Sequence, residues 1–178
     1  MKQKEKIESH YEDKGTSVRI LGSMLTKTDG FVRHLDTQIN ILMGISSAIF
    51  VFSASQIKNS EWWMFLLVVS IFSAASSFIS LLAIHPPRFL RKRNQMESLM
   101  YNKKIASLKS SKEYAKQLED VFRDEKKIIE QFSIEMYNLC KYYYRPKRKL
   151  FNLSRNILIS GIFISLIAFI LDFIYIKF

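Results

Sequence analysis

One cysteine, Cys140, occurs in the whole chain. A lone thiol excludes an internal disulfide and any zinc site built from several cysteines. Glycine and proline are also scarce, at five and three residues, too few to punctuate a set of β-hairpins, so an all-α protein is expected. Glycine-rich phosphate loops, a serine nucleophile elbow and a paired-carboxylate arrangement are missing. His10, His34 and His85 have no metal-ligand spacing. The expectation is a protein that is not an enzyme and holds no metal and no cofactor. No apolar run ending in a small-residue cleavage site follows the basic N-terminus, so no cleaved signal peptide is expected.

What is present is segregated. Mean hydropathy is close to zero, yet 24% of the residues are charged, because long charge-free runs alternate with densely charged stretches. That separation marks a membrane protein with water-facing parts. Thr37 to Ile57 carries no charge, and at about 1.5 Å per residue such a run crosses a hydrocarbon core about 30 Å thick. Trp62 to Ile84 is a second such run, with Trp62 and Trp63 placed for the headgroup level. Asn156 to Ile176 is a third, interrupted only by Asp172. The expected division is an N-terminal cytoplasmic helical segment at 1–34, spans at 35–57, 62–84 and 156–176, and a cytoplasmic helical region at 86–155.

The polar parts read as helices. Ile7, Tyr11, Val18, Leu21, Leu25, Val32 and Leu35 recur at helical spacing, which fits one or two amphipathic helices around Gly15 and Gly22, or a frayed tail. His85-Pro86-Pro87 ends the second span by removing backbone donors. Ser110-Ser111 with Glu113 resembles a helix start. Beyond it Tyr114, Leu118, Val121, Ile128, Phe132, Met136, Leu139 and Tyr143 form one stripe, predicting a long amphipathic helix that feeds the third span through a bend at Pro146.

The net charge of +11 is explained by position. Arg88, Arg91, Lys92, Arg93, Arg145, Lys147, Arg148, Lys149 and Arg155 gather on one side of the spans, against Lys58, Glu61 and Lys177 on the other. The positive-inside rule then puts the N-terminus in the cytoplasm and the C-terminus outside. Arg91, Lys92, Arg93, Lys147, Arg148 and Lys149 are expected to meet anionic headgroups, and a nucleic-acid polymer is not an expected partner. On the second span Ser70, Ser73, Ser77 and Ser80 fall on one face. They serve ordinary close helix packing, or a polar seam that opens to water when subunits rearrange; Gly44-xxx-Ala48 and Ser47 offer the first span a similar surface. Asp172 sits near the outer end of its span, where reaching the interface costs little.

Three short segments carry a family resemblance. Phe31-Val32-Arg33-His34-Leu35-Asp36-Thr37-Gln38-Ile39-Asn40 resembles the aspartate-containing motif at the start of the first span in the transmembrane effectors of Pycsar antiphage systems. Asp36 matches the aspartate, and Gln38 stands where that family usually has lysine. His85-Pro86-Pro87-Arg88 is similar to the family's proline-arginine exit, and Leu139-Cys140-Lys141-Tyr142-Tyr143 to its lysine-tyrosine motif. The resemblance spans about residues 28–176. It implies a bacterial inner-membrane effector that senses a cyclic nucleotide made by a neighbouring cyclase, acts as a homo-oligomer and impairs the membrane in abortive infection. Asp36, Arg88, Lys141, Tyr142 and Arg145 are the candidate ligand contacts. The alternative is a structural membrane protein that recruits a partner through its long cytoplasmic helix; a channel or transporter subunit has little support, since the three apolar runs hold one charged residue, Asp172, and that one is peripheral.

Overall fold

The computed structural model describes residues 2–87, 90 and 97–177. Every regular element among them is helical: α1 (Lys2–Gln56), a short 3-10 turn (Ile57–Asn59), α2 (Trp63–Ile84), α3 (Asn102–Ser107), α4 (Ser111–Phe122), α5 (Glu125–Asn138), a π-helical segment (Leu139–Tyr144) and α6 (Arg145–Lys177). Three stretches among the described residues are long and apolar enough to cross a membrane: Val18–Gln56, Trp63–Ile84 and Glu125–Ile174.

The N-terminal amphipathic segment is not a separate helix. It runs without interruption into the first span as α1. Gly22, Gly30 and Gly44 do not break it, because a helical glycine costs only about 1 kcal/mol against alanine and none here has positive φ. The side chains of Ile7 and Tyr11 lie outside the described residues. The stripe from Tyr114 to Tyr143 differs in the other sense, being carried by two helices. The Asp124 carboxylate accepts the Lys126 N–H at 3.0 Å and starts α5 afresh, as an N-cap does. Upstream, the Ser110 hydroxyl accepts the Glu113 N–H at 3.2 Å and Glu113 Oε2 accepts the Lys109 N–H at 3.0 Å, which sets the start of α4. Towards its C-terminus α5 continues through the π segment into α6. Pro146 lies in the first turn of α6. Proline has no N–H for the carbonyl four residues back, and a π turn just ahead of it is a local way to re-sort the ladder.

The chain forms two compact units. One comprises 1–32 and 92–143, the other 33–91 and 144–178. In the first, the segment before α3 is tied to α5. Ser98 Oγ donates to the Glu135 carboxylate, the Leu99 N–H donates to Gln131 Oε1 at 2.8 Å, and the Tyr101 and Tyr143 hydroxyls meet at 2.5 Å.

In the second unit the usual distribution is inverted. Buried positions on α2 are Leu66, Ser70, Ser73, Ser76, Ser80 and Ala83; on α6, beyond Pro146 in its first turn, they are Ser154, Leu158, Gly161, Ser165, Ala168 and Asp172. From Ser154 onward those on α6 alternate in steps of four and three, the spacing of a left-handed helix seam. The outward faces carry Ile41, Ile45, Phe52, Ile71, Phe78, Phe163 and Ile167. Serine inside and isoleucine outside suits hydrocarbon, where small hydroxylated residues pack helices together. Gly161 is the tightest point: a Cβ there would lie 2.2 Å from Phe72 Cβ. At one end of this unit Leu35, Ile39 and Ala83 form an apolar core packed by Ile84, Tyr144, Leu150 and Phe151.

Candidate functional site

The apolar core just described is bordered by an ion pair. Lys147, in the first turn of α6, donates from Nζ to Asp36 Oδ1 on α1 at 2.5 Å. The Lys147 side chain is only 11% exposed, whereas Asp36 is 40% exposed. A lysine so placed needs a partner, because taking one member away leaves a buried charge at a cost of about 3–5 kcal/mol. Lys147, grouped by sequence with headgroup-facing cations, is therefore engaged inside the protein. Asp36, expected to touch a ligand, is already neutralised.

The neighbouring basic residues, Arg145 and Lys149 among them, are exposed, and Arg148 donates to the Tyr144 hydroxyl at 2.9 Å with its guanidinium 5.6 Å from that ring. Arg155 lies 6.0 Å from the ring of Phe151. Asp36 is the sole carboxylate in the segments 33–40 and 144–156, which also hold Arg33, Arg145, Lys147, Arg148, Lys149 and Arg155. This end of the unit therefore carries a surplus of positive charge.

Lys141 and Tyr142 belong to the other unit, on the π segment. Lys141 Nζ donates to the Tyr137 hydroxyl and lies 4.6 Å from the Tyr137 ring centroid and 5.6 Å from that of Tyr142. The two rings meet edge to face at 5.9 Å. Lys141 is thus held between two tyrosines, and the half-exposed Tyr137 is the member that sequence reasoning missed; it lies one turn before Lys141. The structure thus brings together Asp36 with Lys147, and Lys141 with Tyr142 and Tyr137. Arg88, Arg91, Lys92 and Arg93 lie outside the described residues.

The serine seam is also rearranged. Ser70, Ser73 and Ser80 are buried together with Ser76, but Ser77 turns to α1, where its hydroxyl meets Ser47 Oγ at 2.6 Å. Ser154 of α6, unmarked by sequence reasoning, is the hub of the α2–α6 contact. Its Oγ lies 2.7 Å from the Ser76 carbonyl, 2.9 Å from Ser76 Oγ and 2.8 Å from Ser80 Oγ. Ser46, Ser53 and Ser73 bond back to carbonyls of their own helices.

Asp172 does not reach for the interface. It is 6% exposed, and its Oδ2 accepts the Phe65 N–H at 3.4 Å. Phe65 is in the first turn of α2, whose N–H groups have no partner in their own helix. The carboxylate therefore caps α2 from α6 and meets the positive end of its dipole. Beside it the Trp62 and Phe169 rings stack at 4.1 Å.

The profile of the Pycsar effector protein domain matches residues 20–172. No curated protein and no solved structure matches the chain.

Proposed function

The chain belongs to the Pycsar effector family, and from that premise we propose that it is a bacterial inner-membrane effector that senses a cyclic nucleotide and impairs the membrane, stopping the infected cell before phage spread. The observation that carries the reading is the family match over residues 20–172, on a chain with three helices able to span a membrane. The N-terminus and the 86–155 region lie in the cytoplasm under this reading, where a neighbouring cyclase releases its product, and the C-terminus lies outside. Asp36, Arg88, Lys141, Tyr142 and Arg145 are each offered as a contact to the nucleotide.

Ligand and membrane are linked by differential affinity. The nucleotide shifts the protein only as far as it binds the assembled, membrane-impairing state better than the resting one. Burial of serine hydroxyls between α2 and α6 supports a role for the seam, since these are polar groups that water could reach if the spans separate within a homo-oligomer.

Two measurements test the proposal together. Protein purified in detergent is melted against a panel of cyclic mononucleotides and cyclic dinucleotides; one member is expected to raise the melting temperature selectively, by mass action on the folded state. Cells carrying the protein and making that same nucleotide are expected to lose membrane potential within the induction period. No shift with any nucleotide and no depolarisation on triggering would leave a scaffold that recruits a protein partner.

A further inference from the structure

The ion pair at the end of the spanning unit has an asymmetry that a simple structural bridge does not need. Lys147 is almost enclosed, while Asp36 stands substantially in the open at 40% exposure. Once released, the Asp36 carboxylate would be solvated by water. Lys147 would not be, and its ammonium keeps requiring an anion wherever Asp36 goes. The surroundings favour replacement by an outside anion, because Arg145, Arg148, Lys149 and Arg155 lie with Lys147 in the 144–156 segment, which has no carboxylate of its own. A positive field with one internal counter-charge attracts a second.

We infer that Lys147 is the anchor of a phosphate-anion site and that Asp36 is its built-in stand-in, displaced when the ligand binds. The ligand class is a phosphodiester or phosphate monoester, whose oxygens accept a charge-assisted hydrogen bond from the ammonium as the carboxylate does now at 2.5 Å. A cyclic nucleotide and an anionic lipid headgroup share that chemistry. The nucleotide form of the inference rests on the function proposed above. Displacement also has a mechanical consequence. Asp36 holds α1 to α6 beside the core of Leu35, Ile39, Leu150 and Phe151, so an anion on Lys147 unties that link while leaving the lysine neutralised.

The two partners then have opposite effects on ligand affinity, which a purely structural pair does not give. Asp36→Asn removes the competitor and is expected to tighten binding by about tenfold, whereas Lys147→Gln removes the anchor and is expected to weaken it by about tenfold or more. Lys147→Arg is expected to keep most of the affinity. The proteins are placed in nanodiscs of phosphatidylcholine. They are melted against inorganic phosphate and against the 3′,5′-cyclic forms of AMP, GMP, CMP and UMP, then again with phosphatidylglycerol added to the disc.

Opposite shifts with a cyclic nucleotide in the neutral disc establish the site for a soluble phosphodiester. Opposite shifts only with phosphatidylglycerol assign it to a headgroup. Opposite shifts with inorganic phosphate alone keep the anion site while the nucleotide reading falls. A cyclic nucleotide that binds all variants equally leaves the function standing and overturns this inference. So do shifts of the same sign, or no shift with any phosphate compound. If neither Asp36→Asn nor Asp36→Ser accumulates folded, the carboxylate is a folding requirement and the stand-in idea is overturned.

Discussion

Helices α4 and α5 bury a different mixture of residues from the helices of the spanning unit. Around α4 and α5 the pattern is that of a water-soluble protein: Val121 is buried, charged side chains face outward, and each helix start carries its own cap, Ser110 for α4 and Asp124 for α5. In the spanning unit serines are buried beside a small apolar core, Ile41, Ile45, Ile71 and Ile167 are exposed, and the start of α2 is capped by Asp172 from another helix, 107 residues away in sequence. The difference follows from the solvent. Water satisfies loose N–H groups and drives apolar side chains together. Hydrocarbon does neither, so helices are held by close approach and by hydroxyl bonds.

The sharpest way to break that contrast is at Gly161. Within the seam a new Cβ would collide with Phe72 at 2.2 Å, and both partners belong to the packed pair α2 and α6. Gly161→Val is expected to destabilise the protein by about 3 kcal/mol or more, at the upper end of overpacking costs. Gly44→Ala has nothing within 4 Å of its new methyl and is expected to be neutral or slightly stabilising, by up to about 1 kcal/mol. Melting temperatures in one detergent check both. Equal effects at the two glycines would mean that α2 and α6 do not approach as described.

Ser154 comes next. It touches the Ser76 carbonyl and both the Ser76 and Ser80 hydroxyls. Ser154→Ala leaves these groups to each other and is expected to cost about 1–2 kcal/mol, near the top of the range for hydroxyl bonds between membrane helices. Ser46→Ala, which loses only a bond to its own helix, is expected to cost less. A double-mutant cycle of Ser76→Ala with Ser154→Ala separates the two explanations, since strict additivity would show that the hub contributes no coupling.

Much of this architecture was legible. Charge-free runs reported three spans because hydrocarbon thickness dictates their length. The start of α4 was legible because a cap acts locally. The break at Asp124 had the same kind of signal, an aspartate ahead of Glu125, but the apolar stripe runs across it and hides it. Ser76 and Ser77 are neighbours near one face, and periodicity alone did not decide which joins Ser70, Ser73 and Ser80. The small residues Ser154, Gly161, Ser165 and Ala168 did carry a readable seven-residue pattern on the third span. The Asp36–Lys147 pair carried none, because its partners are 111 residues apart and each has an independent reading, as a motif acid and as a topogenic base.

The smallest effect belongs to the water-facing unit. Lys127 of α5 reaches back to Asp120 of α4 at 2.7 Å, with both side chains largely exposed. The hydrogen bond from Lys127, and then its charge, hold the Asp120 carboxyl below its ordinary value near 3.8. The same bond raises Lys127 above its ordinary 10.5. A lowered carboxyl pKa contributes stability that is present above its unfolded value and lost as pH falls through the folded value. A raised lysine pKa contributes stability that is present below its unfolded value and lost as pH rises through the folded one. The pair is therefore expected to steady the α4–α5 junction between those limits, and to let it go in strong acid. Salt at about 1 M shortens the screening length to about 3 Å, so the contribution is expected to shrink there. Amide exchange at residues 119–128 reads it directly. Wild type should lose protection on acidification below pH 3.8 relative to Asp120→Asn, and the gap should narrow in high salt. Identical profiles for the two proteins would make the contact a crowded surface with no energetic consequence, leaving the Asp124 cap alone to hold the junction.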